Sequence, residues 1–159
     1  MERTTNWTVG MWVRLDALPS QSDDFYLWKY VDTGEYGDVF LYVDNDNKIK
    51  TYSGAYSKKL DTGVTIQTGQ WYHVVGTMSQ TGSSVSGYYK VYVNGQLKTE
   101  DGTWRFYTPS TGSFGLLKAD GRAWGKGNID DIGVWDRALS AQEIAELYQT
   151  QVESPRIPY

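Results

Sequence analysis

Cysteine is absent from the chain, which excludes disulfides and Cys-rich zinc sites but does not discriminate between compartments. Histidine is reduced to one residue, His73, in the middle of an apolar segment. A Ser-His-Asp or His-metal centre would have to be built inside a core, so a structural role for His73 is expected. Positive charge is thin: 15 basic residues stand against 19 acidic ones, for a net charge of -4. No field exists to attract phosphate backbones or anionic lipid, and nucleic acid is not expected as a partner. No apolar run approaches the roughly 20 residues that span a bilayer. Membrane insertion is therefore not expected either. The opening Met1-Glu2-Arg3-Thr4-Thr5-Asn6 also lacks the hydrophobic stretch of a signal peptide.

What the chain has in quantity is aromatic rings, with 13 Tyr, 7 Trp and 4 Phe, together with 17 Gly. Aromatic and β-branched side chains fit a pleated surface, and 159 residues suffice for one domain with a real core, so an all-β domain is expected. Strand-like runs separated by turn signals occur at Trp7 to Leu15, Phe25 to Val31, Val39 to Val43, Lys48 to Ser53 and Trp71 to Ser79. Others follow at Tyr88 to Asn94, Gln96 to Glu100, Ser113 to Lys118 and Lys126 to Trp135. Asp44-Asn45-Asp46-Asn47 and Asn94-Gly95 read as hairpin turns.

Near the end the period changes. Leu139-Ser140-Ala141-Gln142-Glu143-Ile144 is a capping box with a hydrophobic staple, predicting one short helix from Ala141 to Gln149. Its apolar stripe, Ile144, Leu147 and Tyr148, should face the strands. The domain is thus expected over 1–149, with an extended tail over 150–159 that carries Pro155 and Pro158.

Four segments carry a resemblance to a known family. They are Trp7-Thr8-Val9-Gly10-Met11-Trp12-Val13, Trp71-Tyr72-His73-Val74-Val75-Gly76-Thr77, Val91-Tyr92-Val93-Asn94-Gly95 and Gly127-Asn128-Ile129-Asp130-Asp131-Ile132-Gly133-Val134-Trp135-Asp136. In order and spacing the chain resembles the laminin G-like jelly rolls of the concanavalin A-like lectin and glucanase superfamily. The continuation Trp135-Asp136-Arg137-Ala138-Leu139-Ser140 is also similar to pentraxins. The resemblance implies a two-sheet antiparallel jelly-roll sandwich with one short C-terminal helix. Members usually begin with a further strand before the position of Trp7, so an edge is left to be covered. An extracellular, cell-surface or virion-surface location is the expected setting.

Glucan-cleaving members of the superfamily carry a Glu-x-Asp-x-x-Glu strand, in which alternation sets the carboxylates on one face to flank the scissile bond. The six glutamates, at 2, 35, 100, 143, 146 and 153, occupy no such frame, so the chain is not expected to be an enzyme. Relatives of this kind often hold a structural calcium near the fourth segment, which makes Asp130 the candidate ligand for Ca2+. A bulge at Asp130-Asp131 would let Ile129 and Ile132 both reach the core while aiming a carboxylate outward.

Recognition is expected on an aromatic face. Period-two alternation sets Val39, Leu41 and Val43 against Phe40 and Tyr42, and Phe25, Leu27 and Val31 against Tyr26, Trp28 and Tyr30. Likewise Tyr89, Val91 and Val93 oppose Tyr88, Lys90 and Tyr92, while Tyr52 lies on the polar side of its strand. One sheet face would then gather Tyr26, Trp28, Tyr30, Tyr42, Tyr52 and Tyr92, with Trp104 and Tyr107 added from a loop at 101–109. Flat rings bury the apolar face of a pyranose while phenols and ammonium groups bond its hydroxyls, so a glycan or polysaccharide is the expected partner. The alternative is a structural or adhesion module, such as a virion decoration domain, that grips neighbouring protein subunits with the same surfaces.

Overall fold

Hydrophobic runs rich in valine and aromatic residues, punctuated by Asn, Asp and Gly turns, fold into strands β1 (Trp7–Leu15), β2 (Phe25–Asp32), β3 (Val39–Val43), β4 (Lys48–Ser53) and β5 (Lys58–Thr65). They continue as β6 (Trp71–Gln80), β7 (Ser86–Val93), β8 (Gln96–Arg105), β9 (Gly112–Leu116) and β10 (Gly127–Trp135), followed by helix α1 (Ala141–Val152). The structure is a computed structural model that describes residues 6–19, 24–32, 39–53, 58–80, 86–105, 112–116 and 126–153; of these, the side chains of 30–32, 40, 53, 86, 104–105 and 112–114 are not described.

The strands form two antiparallel sheets, one in the order β10-β1-β6-β7-β8 (sheet A) and the other β5-β4-β3-β2-β9 (sheet B). Their inner faces share one core, to which β1 gives Val9, Met11, Val13 and Leu15 and β3 gives Val39, Leu41 and Val43. This is the jelly-roll sandwich expected from the sequence. Both expected hairpin turns are present: Asn47 and the pair Asn94 and Gly95 take positive φ, and the Asn47 amide donates to the Asp44 carbonyl at 2.8 Å. At the far side of the sandwich Lys58 of β5 pairs with Asp101 of β8 and donates to Thr103 Oγ1 at 2.8 Å, which ties the two sheet edges together.

The helix begins as its sequence demands. The Glu143 amide donates to Ser140 Oγ at 3.2 Å and the Ser140 amide to Glu143 Oε2 at 2.8 Å, closing the capping box. Leu139 and Ile144 then bury against Val75 and Tyr92 on the outer face of sheet A. Helical structure runs on to Val152, three residues past the expected end, so Thr150 to Val152 are not part of an extended tail. Residues 154–159 lie outside the described residues.

Strand β5 has no counterpart among the expected strands. Its Asp61-Thr62-Gly63 forms an irregularity within the strand: the register against β4 shifts between Lys48 and Lys50, with Gly63 at φ 71. Strand β8 runs to Arg105, so residues 101–105, expected as loop, belong to a sheet edge.

The largest departure from alternation is in β2. Tyr26 pairs with Tyr42 but Trp28 pairs with Leu41, so Leu27 is the extra residue of a β-bulge. One inserted residue exchanges the faces of everything after it. Trp28 turns into the core, where its ring meets Trp7 edge-on at 5.4 Å, and Lys29 takes the outer side. Gly76 on central strand β6 makes that seat: a Cβ there would lie 2.7 Å from Tyr89 Oη and 3.3 Å from the Trp28 ring.

Trp28→Ala should therefore act as a core deletion, costing about 3–5 kcal/mol in urea unfolding. A loss under about 1 kcal/mol would show the indole to be a surface group after all.

Candidate functional site

The expected aromatic face is divided by the architecture. Trp28, at 1% exposure, is core, for the reason given by the bulge. Tyr92, at 3%, projects from the outer face of sheet A and is covered by Leu139 and by Ile144 of α1. Because the two sheets meet through their inner faces, Tyr92 lies on the opposite side of the molecule from Tyr26, Tyr42 and Tyr52. Neither Trp28 nor Tyr92 is available as a stacking platform. The backbones of Tyr30 and Trp104 lie in β2 and β8, but their side chains, and all of Tyr107, lie outside the described residues.

What remains together is the outer face of sheet B. Register aligns Tyr26, Tyr42, Lys50 and Asp61 across β2, β3, β4 and β5, and sets Tyr52 beside Lys59 in the next row. Tyr26 and Tyr42 lie with ring centroids 6.1 Å apart, and Lys29 Nζ sits 5.2 Å from the Tyr26 centroid in a cation-π contact. Tyr42 is 2% exposed and serves as the floor, whereas Tyr26 and Tyr52 are half-buried and present ring area to solvent.

A charged cluster closes one end of this face. Lys50 Nζ bridges Asp44 Oδ2 at 2.7 Å and Asp46 Oδ2 at 2.8 Å, and Asp24 hydrogen-bonds the Asp44 carboxylate. Burial, then the bond to Asp44 and its charge, push the Asp24 carboxyl above the usual carboxylate range. Burial also penalises the Asp44 carboxylate, but the bonds from Lys50, the Asn45 amide and Asp24 outweigh it and hold Asp44 below that range. Of the two carboxyls, Asp24 therefore holds its proton the more tightly. Burial, followed by the charges of Asp44 and Asp24, raises the Tyr42 phenol, which stays a donor throughout the physiological range. Burial works against the Lys50 ammonium, but the hydrogen bonds that it donates to Asp44 and Asp46 outweigh it and raise it. The face thus offers ammonium groups and carboxyl oxygens beside two accessible rings.

Sequence reading reached Tyr26, Tyr42 and Tyr52 but passed over Asp24, Lys29 and Lys59. The Asp-Asn-Asp-Asn turn was legible as a hairpin; that its first carboxylate meets Asp24, 20 positions earlier, is a matter of strand pairing between β2 and β3.

Asp130 lies where β10 meets Trp12 of β1, next to the expected bulge, at which Asp131 has φ 48. Its Oδ1 accepts the Asp131 amide at 2.8 Å, and among the described residues no group of three or more His, Asp or Glu is placed to hold a metal. Ile129 reaches the core as expected, but Ile132, at 46% exposure, does not: beyond the bulge it stands on an edge strand. His73 is buried in a ring stack, 5.1 Å from Trp12 and 5.9 Å from Tyr148 of α1, and packs the helix against sheet A.

Strand order and pairing define a two-sheet antiparallel jelly roll. A model for the concanavalin A-like lectin/glucanases superfamily, of laminin G type, matches residues 1–145, and the chain belongs to that family. Comparison with curated protein sequences finds no match. Among solved structures, domain 4 of AbnA, an extracellular GH43 arabinanase of Geobacillus stearothermophilus determined with arabinotriose, is 25% identical, with a TM-score of 0.74 over 94% of this chain and 69% of that one. The SAP-like pentraxin of Limulus polyphemus (19% identity, TM-score 0.68, covering 91% of this chain and 70% of that one) shares the fold. So does the Trypanosoma rangeli sialidase (23%, 0.70), where the match covers 93% of this chain but spans only 23% of the sialidase.

The carboxyl pair gives a pH signature. Asp24 binds its proton more tightly folded than unfolded, so its contribution to stability is full in acid and is lost as pH rises through the folded value. Asp44 and Asp46, held low, contribute in the opposite sense, fully at neutral pH and progressively less as pH falls through their lowered values. Asp24→Asn keeps a donor toward Asp44 at every pH. Its melting temperature should exceed that of the wild type at about pH 8, with the gap closing toward about pH 4; a gap that widens in acid would reverse the assignment.

Proposed function

We propose that this chain is a non-catalytic carbohydrate-binding module whose ligand lies on the outer face of sheet B, against Tyr26 and Tyr52. The observation that carries the reading is the composition of that face: two half-buried rings flank a fixed set of ammonium and carboxyl groups that contribute nothing to the core. Sugars require that combination, apolar area for the C–H face and rigid polar atoms for the hydroxyls. The same face argues against hydrolysis. Asp24 and Asp44 are bonded directly to each other, whereas glycosidase carboxyls stand about 5 Å or more apart to admit the glycosidic oxygen or a water. The arabinotriose bound to the arabinanase domain, the relative at 25% identity, supports a neutral oligosaccharide as the first ligand to try.

Isothermal titration with arabinotriose and a panel of neutral oligosaccharides tests this. Binding should weaken at least tenfold, about 1.4 kcal/mol, in Tyr26→Ala and in Tyr52→Ala, with melting temperatures close to wild type. Failure of the unaltered chain to bind any oligosaccharide, or wild-type affinity in both variants, would remove this face as the binding surface.

A further inference from the structure

A second surface lies on the other sheet. Strand β10 ends sheet A, and among the described residues β1 is the strand that pairs with it. On this edge Ile132 is 46% and Val134 66% exposed, an unusual concentration of aliphatic surface for a strand end. Register sets Val134 opposite Val9, hence toward the inner layer, and Trp135 opposite Thr8, hence outward. The Trp135 ring packs against Gly10 and Gly133, so closely that Gly133 has no room for a Cβ. Beside that ring an open groove of about 300 Å³ runs along α1, floored by Trp135, Leu139 and Leu147 and rimmed by Arg137, Glu143 and Glu146. The stretch from Asp130 to Thr150 holds five carboxylates and one guanidinium. That guanidinium, on Arg137, is already paired with Glu143 at 2.6 Å, so Glu146 leaves the rim with a net negative charge.

We infer that the β10 edge and this groove form one docking surface for an extended, basic segment of another protein, which joins sheet A as a short additional strand. The parts fit that occupant. An added strand alternates its side chains between the two faces, so one set would cover Val134 on the inner side while the other entered the groove against Trp135 and Leu147. Lysine or arginine in the second set would meet the carboxylates of Asp136 and Glu146, whereas an acidic strand would be repelled. The bulge at Asp131 ends the regular edge, which limits the pairing to about the length of Ile132 to Trp135 and makes the groove the anchor. The surface is separate from the sheet B face, and the inference does not depend on glycan binding.

The test uses two synthetic peptides, Lys-Val-Lys-Val-Lys-Val and Glu-Val-Glu-Val-Glu-Val, titrated into the isotopically labelled full chain in low-salt buffer. The lysine peptide should bind and shift the amides of Ile132 to Trp135, the glutamate peptide should not, and added salt should weaken the complex. Glu146→Lys and Val134→Lys, both at exposed positions, should each reduce affinity at least tenfold without altering the melting curve. Absence of binding by the lysine peptide, equal binding of both peptides, or shifts confined to other strands would overturn the inference. So would a concentration-dependent dimer in sedimentation that Val134→Lys dissolves, because the occupant would then be a second copy of the chain.

Discussion

The seating of Trp28 between the sheets is the contact on which the rest of the arrangement depends. Its indole fills the space that Gly76 leaves open on the central strand of sheet A, meeting Trp7 edge-on and lying within reach of Tyr89. To bring it there β2 inserts Leu27 as an extra residue, and from that point the two faces of the strand exchange. The bulge therefore does two things at once. It completes the core with a large ring, and it places Lys29 on the outer face, above Tyr26, where an unbroken alternation would have put the tryptophan.

The outer faces of the two sheets are put to different uses as a result. On sheet A the outer face is spent on holding α1: Val75, Tyr92, Leu139 and Ile144 bury together, and the Trp12, His73 and Tyr148 rings stack beside them. Thr8 secures the approach to the helix, its hydroxyl donating to the Arg137 carbonyl at 2.8 Å and accepting the Leu139 amide at 2.9 Å. Among the described residues sheet B carries no such helix. Its outer face keeps its rings and charges in a fixed mutual arrangement, because Lys50, Asp44 and Asp24 satisfy one another at the hairpin end. Polar groups ordered in advance lose less freedom when a ligand arrives, which is why such a face suits recognition.

Edges follow the same logic of what is and is not satisfied. The β5 and β8 edges, which meet across the sandwich, are closed by Lys58 with Asp101 and Thr103. Burial works against the Asp101 carboxylate, but the bonds from Lys58 and from the Thr103 amide and hydroxyl keep it below the usual range, so the clasp is charged at neutral pH. The β10 edge has acidic residues and a bulge but retains exposed Ile132 and Val134. Charges and bulges discourage indiscriminate pairing of edges; the aliphatic side chains leave room for a selective one.

Local chemistry was legible in the chain itself. Asn-Gly and Asp-Asn-Asp-Asn turns, the Ser140 to Glu143 capping box and the valine-rich central strands depend on neighbours within a few positions, and each formed where the residues placed it. Tyr26, Tyr42 and Tyr52 were also found together, since each lies on the outer side of its strand as alternation sets it. Alternation fails wherever a strand gains a residue, and nothing in Phe25-Tyr26-Leu27-Trp28 announces a bulge, because the cause is a vacancy at Gly76 on another strand. The covering of Tyr92 by a helix some 50 positions later, the meeting of Asp24 with Asp44, and the exposure of Ile132 at a sheet edge are likewise properties of strand order. Sequence thus determined the elements and their turns through short-range bonds. Which face each ring occupies was decided by long-range packing, where one inserted residue outweighs every local preference that follows it.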